Sequence, residues 1–252
     1  MARGSLTRIG DSWPPVVGAL LIIALWQGSV VLFKLPPYVL PGLGSILERM
    51  VVERTILLQG LAMTGAEALA GFAIGVAWGL GLAIAITMLP RMERPIMPLI
   101  VGINSVPVVA YAPLMLIWFG IGPASKIAMA SIAVGFVILL NSLQGLKATD
   151  PAAIGLLRSF GAGSVRILTK LRLPMAMPAI VNGLRVGIVR SVLVVIVSEM
   201  LGAYRGLGWT IYESTQQTDF LRVWAAVFAA SAGSLLLYGV LVAIDRKVVW
   251  WR

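Results

Sequence analysis

The sequence predicts an all-α, polytopic membrane protein with six transmembrane helices, folded as one domain over residues 1–252. Composition is the first reason. Hydrophobic residues make up 59% of the chain and charged residues 12%, whereas soluble domains carry about 45–50% apolar and about 25% charged residues. The second reason is the arrangement of the apolar residues in six runs, each near the roughly 20 residues that cross a bilayer. The chain has no cysteine and no histidine. Disulfides and thiolate metal sites are excluded, and the commonest general base and metal ligand is missing, so catalysis is disfavoured.

The first run, VVGALLIIALWQGSVVLF at 16–33, is long for a signal peptide. It is followed by KLPPYVLPG rather than a small-residue cleavage site, so it is read as a retained anchor. The second, 68–89, carries Gly71, Gly75 and Gly79 four residues apart. Such a smooth stripe lets helix backbones approach closely; packing within the chain is preferred here over a dimer seam. The third, 96–119, contains Pro107 and Pro113, with Asn104 and Ser105 just before the first proline. A proline frees a backbone carbonyl, and a membrane tolerates this where water or protein covers it. A kinked helix lining a pathway near Asn104, Ser105, Pro107 and Tyr111 is therefore expected, with a buried structural kink as the plainer reading. The remaining runs are 127–146, 179–201 and 223–244.

Charges within spans cost about 2.5–3.5 kcal/mol each on insertion scales. Arg185 and Arg190, early in the fifth run, are expected to snorkel toward the interface. Glu67 and Glu199 fall near the ends of the second and fifth runs. They suit either interfacial pairing with Arg54 or Arg205, or a role at an outer gate.

The net charge of +10 is read as positive cytoplasmic loops rather than nucleic-acid binding. With the N-terminus inside, twelve loop and terminal cations (Arg3, Arg8, Arg91, Arg94, Lys147, Arg158, Arg166, Lys170, Arg172, Arg246, Lys247, Arg252) lie on the cytoplasmic side. Six (Lys34, Arg49, Arg54, Lys126, Arg205, Arg222) lie outside. The asymmetry predicts both termini in the cytoplasm.

The cytoplasmic loop 147–178 is the most punctuated part of the chain. Asp150 and Pro151 suit the N-cap and first position of a helix, PAAIGLLRSF, whose Ile154, Leu157 and Phe160 share one side. Gly161 suits a left-handed stop. Ser164 is expected to cap a second short helix that ends at Pro174. An amphipathic cytoplasmic segment of this kind fits either a lipid surface or the groove of a partner protein.

The stretch DPAAIGLLRSFGAGSVRILTKLRLP resembles the cytoplasmic signature of importer-type ABC permeases: Glu-Ala-Ala, three residues, Gly, nine residues, Ile-x-Leu-Pro. Gly161 matches the glycine, and Leu171-Arg172-Leu173-Pro174 matches the end with leucine for isoleucine. Gly155-Leu156-Leu157 stand where Glu-Ala-Ala is usual, which removes one expected contact with the ATPase. LPPYVLPGLGSILERM, APLMLIWFGIGPASKI, SEMLGAYRGLGWTI and DRKVVWWR are similar to the nitrate/sulfonate/taurine branch. That branch often has a basic residue before the glycines of span two, where this chain has Glu67.

The resemblance implies a type I ABC importer permease in a prokaryotic cytoplasmic membrane. Its expected partners are a second copy of itself, two ATPase subunits, an extracytoplasmic binding protein and membrane lipid. Asp150, Pro151, Ile154, Gly155, Leu156, Leu157, Arg158, Phe160, Gly161 and Ala162 would form the coupling segment. The binding protein would dock on 34–60 and 202–222. No G-x-x-x-x-G-K-[ST] occurs, so ATP and magnesium belong to the ATPase and no cofactor is expected on this chain. The implied cargo is a small anion such as a sulfonate, nitrate, bicarbonate or aromatic carboxylate; relatives also carry pyrimidine-like vitamin precursors. ATP closure of the ATPases would draw the coupling loops together and open the outer side. Rival readings are an ATP-independent channel or secondary transporter, which would show inverted repeats and mid-membrane carboxylates, and a membrane enzyme, for which no reactive cluster stands out.

Overall fold

Three long helices, α3 (Arg54–Met88), α6 (Pro123–Lys147) and α9 (Leu173–Gly202), form the centre of the molecule, with α6 packed along both of the others. The structure is a computed structural model and describes residues 13–248. Arg3, Arg8 and Arg252, which contribute to the expected orientation, lie outside the described residues, as does the end of DRKVVWWR. Around the centre lie α1 (Trp13–Leu32), α2 (Leu43–Val52), α4 (Glu93–Ser105), α5 (Val108–Phe119), α7 (Pro151–Ser159), α8 (Ser164–Ile167), α10 (Leu207–Gln216) and α11 (Phe220–Val248). The described residues contain no strand.

Small residues set the closeness of the centre. A Cβ on Gly71 would lie 2.5 Å from Ala130 Cβ, and one on Gly75 would lie 2.8 Å from Ser131 O and Val134 Cβ. Gly79 faces the backbone of Gly135. The glycine stripe is thus the seam between α3 and α6, packing within the chain. Trp78 fastens the same seam by donating its indole N–H to the Ser131 carbonyl at 3.1 Å. On the other side of α6, Gly145 and Gly183 admit the neighbouring helices α9 and α6 respectively.

Length and composition let four helices cross a membrane: Arg54–Met88, Pro123–Lys147, Ser164–Gly202 and Phe220–Asp245. The third apolar run is not one kinked helix. It is two, α4 and α5, meeting at 95°. Val106, pushed to extended geometry by the proline that follows it (φ −76°, ψ 123°), and Pro107 form the corner. The Ser105 hydroxyl donates to the Val101 carbonyl of its own helix at 2.8 Å, and the Ile103 carbonyl, four residues before Pro107, accepts from the Val106 N–H at 3.3 Å. Pro98 and Pro113 sit inside their helices without breaking them. The shorter apolar helix Val16–Leu32 lies against α11 through Trp26, whose ring meets Trp224 edge-on at 4.9 Å.

Pro174 does not end a short helix. The chain runs helically from Ser164 to Gly202, 39 residues and about 58 Å. A π-helical turn at Leu168–Arg172 precedes Pro174 and gives the ring space where a regular turn would collide with a carbonyl. A span this long exceeds a hydrocarbon core of about 30 Å, so the basic end with Arg166, Lys170 and Arg172 extends beyond the apolar zone. Ser164 is the first helical residue; Gly163 occupies the cap position without a side-chain hydrogen bond.

Candidate functional site

The end of the bundle at the α6–α9 connection carries α7. Asp150 accepts a hydrogen bond from the Ala152 N–H at 2.9 Å, and Pro151 takes the first helical position. At the other end of α7, Gly161 has φ 76°. Its N–H donates to Arg158 O at 2.9 Å, while Ala162 N–H donates to Leu157 O at 3.0 Å. These paired bonds are those of a Schellman stop. The helix is therefore held rigidly at both ends while most of its surface stays free.

The free face is not the one the spacing suggests. Ile154 and Leu157 are half-buried, while Leu156 and Phe160, four residues apart, are 58% and 77% exposed. Gly155 faces open space, and a Cβ placed on it would have no neighbour within 4 Å. A glutamate there would meet no steric obstacle, so its absence is not a packing demand. Beneath α7 a cavity of about 420 Å³ is lined by Glu93, Lys147, Ile154, Gly155, Arg158 and Arg172. Lys147 and Glu93 form an ion pair across it.

Midway along α9 a second cavity opens, about 710 Å³, bounded by Val108 of α5, Tyr238 of α11 and the α9 residues Asn182, Val189, Arg190 and Leu193. Arg185 also reaches it but is ion-paired with Asp245 of α11. Arg190 donates to Asn104 Oδ1 at a long 3.4 Å. Both arginines therefore turn into the protein, to Asp245 and Asn104, rather than snorkelling to the interface. Of the residues expected on a pathway, Asn104 meets this cavity through its hydrogen bond with Arg190, whereas Tyr111 packs against the apolar core around Met115, Met129 and Val195. Pro107 forms the corner above it, and Ser105 is exposed with its hydroxyl engaged by its own helix.

Glu67 and Glu199 belong elsewhere, at the α10 end. Neither pairs with Arg54 or Arg205. Glu199 is wholly buried and accepts hydrogen bonds from the Thr64 hydroxyl at 2.8 Å and the Gly208 N–H at 2.7 Å. Thr64 in turn accepts from Leu207 N–H at 3.0 Å, so α3, α9 and the start of α10 share one polar knot. Lys126 is not a loop charge. It is 1% exposed, and its ammonium donates to the carbonyls of Ile121, Gly122 and Gly202. Glu67, 4% exposed, lines a cavity of about 360 Å³ with Lys126, Met63 and Tyr204. At the surface nearby, Arg49 pairs with Glu53 and Asp219, and Arg222 pairs with Glu53, joining α2 to the start of α11.

Thr64 escaped the sequence reading of these sites, as did the burial of Lys126 and the pairing of Arg190 with Asn104 and of Arg185 with Asp245. An ionisable residue inside an apolar run signals that a partner exists. It does not say which of several distant helices supplies it.

The sequence model of one protein family, described as the binding-protein-dependent transport system inner membrane component, matches residues 75–250. The formylaminopyrimidine transport permease protein ThiX of Halalkalibacterium halodurans is 28% identical over 248 residues, covering 98% of this chain and 99% of that protein. The taurine transport system permease protein TauC of Escherichia coli is 29% identical over 246 residues, 94% of this chain and 89% of that one. The riboflavin transport system permease protein RibX of Chloroflexus aurantiacus is 26% identical over 245 residues, covering 95% and 91%. Among solved structures, a chain of the inward-facing MetNI methionine ABC transporter superposes with a TM-score of 0.69 at 19% identity. The match covers 78% of this chain and 98% of that one. At that identity the likeness shows the fold.

Proposed function

The chain belongs to the family of binding-protein-dependent transport system inner membrane components, and from that membership we propose how its parts divide the work of an importer. It is the membrane permease subunit of an ABC importer and has a transport role rather than an enzymatic one. Two copies span the membrane six times each, side by side, with both termini and α7 in the cytoplasm. Each meets one ATPase subunit, which holds ATP and magnesium. A binding protein delivers a small organic anion to the opposite face, near α2 and α10. The cargo then passes along α9.

One observation carries the reading: α7 is a capped, rigid helix outside the apolar spans, with Leu156 and Phe160 open to a partner. Its preformed stops reduce the ordering cost of docking. The turn Phe160–Gly163 joins this surface to the helix Ser164–Gly202, which runs on to the Glu199 knot. Movement of α7 driven by the ATPase is thereby transmitted to the opposite end of the bundle.

Leu156→Asp and Phe160→Asp test the docking. Burying a leucine-sized side chain contributes roughly 1.5–3 kcal/mol, or about 10–150-fold in affinity, and an aspartate adds a desolvation cost. Each variant should reach the membrane in normal amounts but lose ATPase co-purification and substrate-stimulated ATP hydrolysis. Retained co-purification in both variants would refute this docking surface, and uptake without any ATPase would refute the importer mechanism.

A further inference from the structure

We infer that the cavity beside the middle of α9 is an anion-selecting station within the membrane, at which Arg190 receives the carboxylate or sulfonate group of the cargo. The inference rests on α9 forming a wall of the transport path and adds the chemical class that the wall accepts.

Charge accounting leads to it. Arg190 lies about 18 Å from the Gly202 end of α9, well inside a hydrocarbon core of about 30 Å. Of the two arginines that reach the cavity, Arg185 is neutralised by Asp245. Arg190 has no carboxylate within ion-pair distance among the described residues; Asn104, a neutral amide, is its acceptor. The cavity therefore carries one uncompensated positive charge. Intramembrane charges turn to a bundle interior or a wet cavity and characteristically mark solute paths. The walls around this one are Val186, Val189 and Leu193, apolar groups that screen the charge poorly.

The remaining chemistry favours an oxyanion. A guanidinium presents a planar fork of N–H donors that matches two oxygens of a carboxylate or sulfonate. Asn104 occupies one donor, weakly, at 3.4 Å, leaving others for a ligand. Asn182 and Tyr238 add polar groups to the same lining. The volume of about 710 Å³ lies within the range of small-molecule sites. A single charge without a dedicated counter-charge also suits passage, since a transported anion must leave as well as enter.

The native absence of cysteine makes a direct test possible. Leu193→Cys is introduced into the complete permease–ATPase complex in proteoliposomes. It is reacted with sulfonatoethyl or trimethylammonioethyl methanethiosulfonate, probes of similar size and opposite charge. Labelling is read on the permease band, relative to each reagent's rate with a free thiol. The anionic probe should react faster by about tenfold, the lower end of electrostatic focusing in a charged cleft. Arg190→Gln should abolish the preference and Arg190→Lys should retain it. Ethanesulfonate at millimolar concentration should slow labelling when Arg190 is present and have no effect with Arg190→Gln; choline should protect in neither case. An equal preference in Arg190 and Arg190→Gln proteins, or loss of preference in Arg190→Lys at unchanged yield, would overturn the assignment while leaving α9 on the path. Failure of both reagents to reach Leu193→Cys in every nucleotide state would overturn the path reading as well.

Discussion

Replacing Glu199 with leucine isolates the knot that holds α10 on the bundle. The carboxylate is fully buried and receives the Thr64 hydroxyl and the Gly208 N–H at 2.8 and 2.7 Å. Leucine has comparable bulk but offers no acceptor. A hydrogen bond to a charged group contributes about 1.5–3 kcal/mol, and a buried donor left unpaired costs about 1–3 kcal/mol. The Gly208 N–H has no freedom to turn elsewhere, whereas the Thr64 hydroxyl rotates, so a loss of about 2.5–6 kcal/mol is expected from these two terms. Glu199→Gln keeps the size and one acceptor oxygen and should lose about 1–2 kcal/mol. Reversible unfolding of the purified permease by SDS in mixed micelles measures the difference. Chymotrypsin cleavage near the exposed Tyr204 reports release of the α10 segment. A Glu199→Leu protein with wild-type unfolding energy and wild-type protection would refute the tether. Unchanged stability combined with lost binding-protein-stimulated ATP turnover would instead assign Glu199 to the gate.

Topology and packing supply two further tests. Single cysteines at Ser164 and Tyr204 should be labelled in intact cells by an impermeant thiol reagent only at Tyr204; labelling of Ser164 alone would invert the proposed orientation. Gly206, though also at that end, is unsuitable for a probe because its φ of 104° and the adjacent Glu199 carboxylate leave no place for a side chain. Gly75→Leu should sharply reduce monodisperse protein on size exclusion, since even its Cβ would lie 2.8 Å from Ser131 O; overpacking alone costs typically about 1–3 kcal/mol. Gly81→Leu, on the same helix but with nothing within 4 Å, should behave as wild type. Equal behaviour of the two would remove the glycine stripe from the α3–α6 seam.

The continuity from Ser164 to Gly202 changes how the signature segment is understood. Its final proline marks not the end of a helix but the base of a membrane-crossing one. Arg190 and the Glu199 knot therefore lie along a single helix, whose first turn follows the exposed α7 after four residues. A displacement at α7 would reach Arg190 and Glu199 through the short turn Phe160–Gly163 and then along one continuous helix. Near the corner between α4 and α5, by contrast, Asn104 meets Arg190 from a helix that ends one residue later. The cavity beside α9 is thus bounded by one continuous helix and by one half of a broken pair.

The amino-acid order alone determined the apolar runs and the two ends of α7. Asp150-Pro151 and Gly161 bound α7 where expected, because capping is an interaction among residues a few positions apart. Apolar runs likewise announce membrane helices, since transfer from water depends on each segment's own composition. Prolines show where local information ends. Pro107 stands at a corner of 95°, whereas Pro174 follows a π turn within a continuous helix. Partners of buried charges are further still from local control. Glu199 meets Thr64 across 135 residues, and Arg190 meets Asn104 across 86. Which groups meet depends on how each helix is rotated and how closely its neighbours approach, and here glycines admitting α6 against α3 and α9 set both. Only the packed structure could decide that Lys126 is a buried clamp, that Leu156 rather than Leu157 faces outward, and that Arg190 stands without a counter-charge.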